Sequence, residues 1–395
     1  MKNDKTPAIR FKGFTEAWEQ RQLWELTFWD KKFNEVDSSK QQKTIKYPYV
    51  LADSLNNLEE PNGDVLLLST GSYIGYTTKE KAGSNLCYGE IVAIPWGGVA
   101  NIKYCNGFFV TADNRIATSS NKNKLDNKFL CWWMESNLIS IQSTYRGASI
   151  KHPSMNDVLS LKISFPSIKE QRIISNYLDQ VDTLITLHQR KCDVLMNIKK
   201  SLLEKMFPTN GDDKPKIRFK GFTEAWEQRE VNEIADRYDN LRVPVASSQR
   251  VEGTTPYYGA NGIQDYVDGY THEGEFVLVA EDGANDLKNY PVQYVNGRIW
   301  VNNHAHVLQS NQNNDTKFLK YLIRSTKIEN LLVGGGRAKL NAEVLMKIDL
   351  TLPKKQEQIK ISSLFDSLDF LITLHQRKCE TLRNMKKSLL ERMFI

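Results

Sequence analysis

The 395-residue chain holds no apolar run of about 18 residues, so it offers no candidate for a membrane-spanning helix. Met1 to Arg10 is polar and lacks the hydrophobic segment of a secretory signal, which points to a cytoplasmic protein. Five cysteines, Cys87, Cys105, Cys131, Cys192 and Cys379, are scattered and form no Cys-x-x-Cys pair. An odd, dispersed set reads as reduced thiols, not as a disulfide framework. The usual catalytic phrases are missing too. There is no GxxxxGK[ST] loop, no GxGxxG turn between strand and helix, and no Asn-Pro-Pro-aromatic or Asp-Pro-Pro-Tyr phrase of amino-group methyltransferases. GxSxG, HExxH and four-cysteine patterns are also absent. A chain this long with none of them reads as a binding protein with no cofactor of its own.

What is present is a folded, mildly basic chain. Hydrophobic residues make up 40% and charged residues 25%, which argues against disorder. The net charge of +6 permits a nucleic-acid partner without demanding one. The dominant feature is internal duplication. Ile9 to Arg21 reads IRFKGFTEAWEQR, and Ile217 to Arg229 repeats it letter for letter. Asp182 to Phe207 and Asp369 to Phe394 form a second matched pair, DTLITLHQRKCDVLMNIKKSLLEKMF against DFLITLHQRKCETLRNMKKSLLERMF. Between these segments the copies diverge: Gln22 to Tyr145 and Glu230 to Gly336 share little. Drift after duplication would spread differences evenly. Here they are concentrated in the middles, so the frame is kept while the middle is diversified.

The closing segments carry a heptad stripe. Ile174, Val181, His188, Leu195 and Leu202 are spaced by seven, and Leu178, Ile185, Cys192, Lys199 and Met206 form a second row. The second copy repeats both rows as Ile361, Leu368, His375, Leu382, Leu389 and Phe365, Ile372, Cys379, Lys386, Met393. Ser167 and Glu170 after Pro166 have capping-box spacing, and Pro208 ends the pattern. A helix of about 40 residues spans roughly 60 Å. Such a stripe needs cover, and the nearest partner is the other copy, packed antiparallel about a pseudo-twofold axis. Lys199 and Lys386 interrupt the stripe and leave room for a third partner. His188 with Cys192, and His375 with Cys379, raise a zinc reading. The simpler reading is a polar break that fixes register, because no carboxylate or Cys-x-x-Cys supports a metal.

The middles hold short β-type runs: Asp64 to Ser69, Glu90 to Ile94, Gly107 to Thr111, Glu275 to Ala280, Val292 to Val295 and Arg298 to Val301. Each ends in a helical piece, Asp126 to Ser143 or Thr316 to Leu332, so each is an α+β domain. Their loops combine Gly, Asn, Ser and Tyr, letters that suit both ordinary turns and contact with phosphates and base edges. Thr70, Ser72 and Tyr73 lie in one such loop, and Tyr257, Tyr258 and Asn261 in another. Arg337 and Lys339, matched by Arg146 and Lys151 in the first half, are the better phosphate candidates. His304 and His306 alternate and read as polar residues on one strand face.

The pattern resembles the specificity subunit of a type I restriction–modification system along essentially the whole chain. The residues that carry it are the duplication itself, the Trp-Glu-Gln-Arg phrases at Trp18 and Trp226, and the Pro-then-Glu-Gln phrases at Pro166…Glu170-Gln171 and Pro353…Glu357-Gln358. The Lys-Ser-Leu-Leu-Glu helix ends at Lys200 and Lys387, and Tyr258-Gly-Ala-Asn-Gly262, add to it. The second helix start lacks the capping Ser, a departure from the first copy. The resemblance implies target-recognition domains at 1–166 and 209–353, each followed by a long helix at 167–208 and 354–395. It implies that each domain reads half of a split, asymmetric site in double-stranded DNA. It implies that the helix pair sets the spacing and docks two methyltransferase subunits that use S-adenosylmethionine. Motor-nuclease subunits using ATP and Mg²⁺ would join them, and this chain would carry no chemistry. Two rivals stand beside it: an enzyme with duplicated catalytic domains, and a helical-hairpin scaffold presenting two protein- or glycan-binding domains.

Overall fold

The computed structural model describes residues 6–30, 38–40, 43–208, 212–334 and 338–394. It divides into two compact units, and each takes half of each long helix. The first comprises Met1–His188 with Arg377–Ile395, the second Gln189–Gln376.

The opening segments build the same small platform twice. In the first unit Glu19–Gln22 pairs antiparallel with Lys162–Phe165, and Trp18 is buried beside it. In the second, Glu227–Glu230 pairs with Asp349–Leu352, and Trp226 is buried. The middles share a topology despite their unrelated sequences. The first sheet runs Thr44–Ile45, Thr27–Asp30, Asn114–Ser119, Cys87–Pro95, Lys103–Thr111, Val65–Leu68, Ile74–Thr77. The second runs Ala235–Arg237, Ala305–Ser310, His272–Ala280, Val292–Val301, Glu252–Gly259, Gly262–Val267. Strand for strand the order is the same, with one extra edge strand in the first. In both, one central pair is parallel, Val65–Leu68 with Lys103–Thr111 and Glu252–Gly259 with Val292–Val301. The two runs expected at Val292 to Val295 and Arg298 to Val301 are a single strand.

Each sheet must fold over on itself. In the first unit, Leu68 lies opposite Thr111, while Asn114 lies opposite Pro95 at the far end of the same hairpin. Three residue steps cover at most about 10 Å, whereas the eight steps of strand from Cys87 to Pro95 cover about 26 Å. Both pairings hold only if the hairpin bends sharply. The bend lies at facing glycines: Gly89 opposite Gly107 and, at the matching place, Gly274 opposite Gly297. Gly107, Gly274 and Gly297 have φ of 142°, 139° and 101°, a region that L side chains rarely adopt. The inside of each curl is apolar, with Leu68, Ile91, Phe109 and Ile116 in the first unit and Phe276, Val295, Ile299 and Val307 in the second.

The long helices span Ile168–Lys205 and Lys355–Met393. They pack antiparallel within each unit. In the first, Lys386 Nζ meets Asp182 at 2.6 Å, Cys379 Sγ reaches the Ile185 carbonyl at 3.6 Å, and Met393 and Phe394 share a core with Ile174 and Leu178. In the second, Lys199 pairs with Asp369, and Phe207 stacks 5.7 Å from Phe318 and 6.0 Å from Phe365. Each domain core is therefore completed by the far end of the other repeat's helix. The sixteen stripe residues from Ile174 to Leu202 and Ile361 to Leu389, the two lysines aside, are all buried or half-buried. The two lysines, expected to leave room for a third partner, instead answer an aspartate on the facing helix.

The Pro-then-Glu-Gln phrases explain how helix and domain are joined. Glu170 takes a bidentate contact from Arg10 at 2.7 and 2.8 Å, so it does not close the expected capping box. Gln171 donates to the carbonyls of Pro166 and Lys124, both at 2.8 Å, and accepts from the Asp126 amide at 2.9 Å. Asp126 is the N-cap of the helix Asn127–Ser136. Glu357 and Gln358 repeat the scheme with Arg218, Pro353 and the amide of Asp315, the N-cap of Thr316–Ser325. The second helix thus starts without a capping Ser because this clamp, not a capping box, fixes its first turn. No described helix is long and apolar enough to cross a membrane.

Candidate nucleic-acid interface

Folding the sheet over brings four loops of each domain to one pole. In the first unit these are the turn 69–73, the loop 96–102, the turn 112–113 and the hairpin 145–153. The Ala112 amide donates to Leu68 O (2.9 Å), Trp96 N to Asp113 O (2.8 Å), and Gly98 N to Lys151 O (2.9 Å). The Trp96 ring lies 5.1 Å from that of His152. In the second unit the matching segments are 260–261, 281–291, 302–304 and, among the described residues, 333–334 with 338–340. Asn302 N donates to Tyr258 O (3.1 Å), Glu281 N to His304 O (2.9 Å) and Leu340 N to Glu281 O (2.7 Å). A bridge between Val333 and Lys339 closes the last loop. Gly, Asn and Ser at these turns, with cations on the hairpins, form a surface that offers backbone amides and side-chain donors to a polyanion.

The candidate residues fall into three groups. Ser72 and Tyr73 are exposed at the first pole and Thr70 is half-buried beside them. Arg146 and Lys151 flank the hairpin there; both are exposed, and Arg146 Nη2 contacts Asp157 at 3.2 Å. At the second pole Lys339 holds the hairpin base, its Nζ 3.0 Å from Glu281. Arg337 lies outside the described residues. Tyr257 is interior, 1% exposed, and its hydroxyl accepts from Val245 N at 3.0 Å. Tyr258 faces the inner curl, where burial pushes its phenol above the ordinary value. Asn261 is exposed but bonded within the protein.

Sequence reasoning missed two clusters. His304 and His306 do not share a strand face: His306 is buried on Ala305–Ser310, while His304 sits in the preceding turn. His306 Nδ1 lies 2.7 Å from Asp239 and Nε2 2.9 Å from the Leu340 carbonyl. Arg242 bonds Glu281 at 2.7 Å and Lys339 completes the group. Burial pushes the carboxyls of Asp239 and Glu281 upward. The bond from His306 to Asp239, and those from Arg242 and Lys339 to Glu281, outweigh that effect and leave both below the usual range. Asp239, Glu281 and His306 offer ligand atoms within 4.8 Å of one another, but Arg242 and Lys339 already balance the carboxylates. The cluster anchors Lys339 and Leu340 to the sheet. A two-residue alternation does not signal it, because its carboxylates come from distant turns.

The second cluster centres on Lys103, 2% exposed, whose ammonium donates to Asn101. Burial pushes its pKa down to about 8 from 10.5. The folded state then binds fewer protons than the unfolded chain between those values, so the amine's destabilising effect is present below about pH 8 and fades as pH rises to 10.5. Lys103→Met should melt higher than wild type at pH 7, and the gap should narrow at pH 10. A gap independent of pH would contradict the burial.

The chain is similar to known proteins in sequence and fold. The family model for the type I restriction modification DNA specificity domain matches residues 15–197 and 223–384. A putative type I restriction enzyme specificity subunit of Haemophilus influenzae is 44% identical over 145 residues, which cover 37% of this chain and only 38% of that protein. The type I restriction enzyme MjaVIII specificity subunit of Methanocaldococcus jannaschii is 23% identical over 306 residues, covering 68% of this chain and 70% of the other. The crystal structure of a type I restriction–modification S subunit from M. genitalium superimposes with a TM-score of 0.72, at 16% identity and over 99% of each chain. At that identity the likeness is one of fold.

Proposed function

Because the chain belongs to the type I restriction–modification DNA specificity family, we propose that each curled-sheet domain reads one half of a split, asymmetric site in double-stranded DNA. The observation that carries this reading is the recurrence of one four-loop pole on one strand order in both units, with unrelated loop sequences inside a near-identical frame. A protein whose frame is constant while its reading surface changes is built for address, not for chemistry. The chain is then a non-catalytic subunit that acts in the cytoplasm and binds no cofactor.

The long helices set the distance between half-sites and dock two methyltransferase subunits. Leu184, Leu187 and Met385 in the first unit, and Val194, Ile198, Phe370 and Leu371 in the second, are exposed apolar residues on these helices that such subunits would cover. S-adenosylmethionine belongs to those subunits, and ATP and Mg²⁺ to motor-nuclease subunits of the full complex. A scaffold for proteins or glycans gains no support from paired poles of Gly, Asn and basic residues.

Fluorescence anisotropy with duplex DNA at two salt concentrations tests the reading. Contact with about six phosphates predicts a loss of roughly 10³ in affinity between 50 and 200 mM salt. Salt-independent binding, or none in the presence of the methyltransferase subunits, would refute it.

A further inference from the structure

Asn261 falls among the candidate base contacts, yet its amide is committed inward. Nδ2 donates to the Gly283 carbonyl at 2.9 Å and Oδ1 accepts from the Asn285 amide at 2.9 Å. These bonds tie the turn 260–261 to the loop 281–291. They take one donor and one acceptor, the pair that a bidentate contact with adenine requires. In the first unit the same two elements are the turn 69–73 and the loop 96–102, and an asparagine joins them again. Asn101 Nδ2 donates to Thr70 O at 3.0 Å and to Val99 O at 3.2 Å, while Oδ1 accepts from Lys103 Nζ. An ammonium has no lone pair to offer, so Lys103 fixes which end of the amide is oxygen and aims the Nδ2 group at Thr70.

The two asparagines stand on opposite members of the pair. Asn101 reaches from the second loop to the first turn, and Asn261 from the first turn to the second loop. They therefore do not descend from one position of the duplicated ancestor. Two unrelated middles have each placed an amide bridge across the same gap.

The geometry points to Asn101 and Asn261 as positioning residues for DNA specificity: each locks two loops of its pole into one body, and the locked pair reads the half-site. The inference rests on the DNA reading proposed above and adds which residues set its selectivity without touching a base. A loose pair presents its donors in several arrangements, so discrimination should fall across several adjacent positions at once.

The test is selection of duplexes from a randomised pool by the full chain assembled with its methyltransferase subunits, for wild type, Asn261→Ala and Asn101→Ala. Each variant should relax several neighbouring positions of one half-site, Asn261→Ala in one half and Asn101→Ala in the other. Specific affinity should fall about tenfold as the loop pair loses its fixed arrangement, while each variant stays folded with Tm lowered by a few degrees, more in Asn101→Ala, which also strips the bond from the buried Lys103 ammonium. Hydrogen exchange at the Asn285 amide should rise in Asn261→Ala. If that variant instead changes preference at one base pair and keeps the rest, Asn261 is itself a base reader and the positioning role is wrong. Unchanged selection profiles also overturn it. A wild-type complex that selects no site refutes the DNA reading itself, an outcome distinct from failure of the clamp alone.

Discussion

Inserting one heptad after Asn197 and another after Asn384 is expected to abolish most specific binding to the native site while leaving both units folded. The insertions leave most contacts that complete each core in place; only the places of Cys379 against Ile185 and of Leu195 against the second core pass to residues one heptad along. Lys199 stays with Asp369, Asp182 with Lys386, and Phe207 and Phe394 stay in their domains. Seven residues keep both apolar rows in phase. Each helix grows by about 10 Å, close to three base-pair steps of about 3.4 Å. Three base pairs also rotate DNA by roughly 100° at about 10.5 pairs per turn. One heptad turns a two-stranded supercoil by only about 25°. Two reading domains held by the helices would no longer meet the groove together on relaxed DNA. Any site the variant regains should keep both half-sites and widen the gap. Native-strength binding to the unchanged site would show that the helices do not set the spacing.

Glu357→Ala should destabilise the second unit by about 2–3 kcal/mol, the order of losing charge-assisted hydrogen bonds in a pair whose arginine is partly exposed. The Glu357 side chain is 1% exposed and takes two contacts from the Arg218 guanidinium at 2.7 Å, and a third from that guanidinium goes to the Glu224 carbonyl. With a domain stability of about 5–15 kcal/mol, that loss is a substantial share of the total. Glu170→Ala should do the same to the first unit through Arg10. Replacing both partners, as in Arg218→Met with Glu357→Leu, should cost far less, because no uncompensated charge remains. Calorimetry should show the affected unit melting earlier and the other nearly unchanged. If the single and double variants melt alike, the pair contributes packing and not charge compensation.

Much of this organisation was legible in the letters, and the misses have physical causes. The duplicated frame and the heptad rows are periodic signals, and the helices at Ile168–Lys205 and Lys355–Met393 follow them closely. The two lysines in the stripe looked like gaps, because a period along one helix does not show the aspartate on the facing one. Ser167 and Glu170 had the spacing of a capping box, but Arg10, 160 positions away, takes the carboxylate. The turn candidates at Thr70–Tyr73 and Tyr258–Asn261 occupy the same topological place, with only the glycines Gly71 and Gly259 in common position, because glycine-rich turns mark a sheet reversal in any sequence. Tyr257 was misjudged because alternation cannot say which face is covered. The irregular segment at 243–250 lies over its strand, with Trp300 Nε1 and the Tyr257 hydroxyl bonded to the Val243 and Val245 carbonyls. His306 was invisible as a buried group for a similar reason, since Asp239 and Leu340 come from turns far away in sequence, whereas Lys103 bonds Asn101 two positions back and only its burial escaped the letters.

The most direct test of the central claim, that two domains read two independent half-sites, is cassette exchange followed by mapping of methylated bases. Residues 230–336 are replaced by the middle of another member of the family, the frame is left untouched, and modified positions are sequenced in cells carrying the methyltransferase subunit. One half of the modified site should change, while the other half and the spacing remain. A change in both halves, or in neither, would contradict the account.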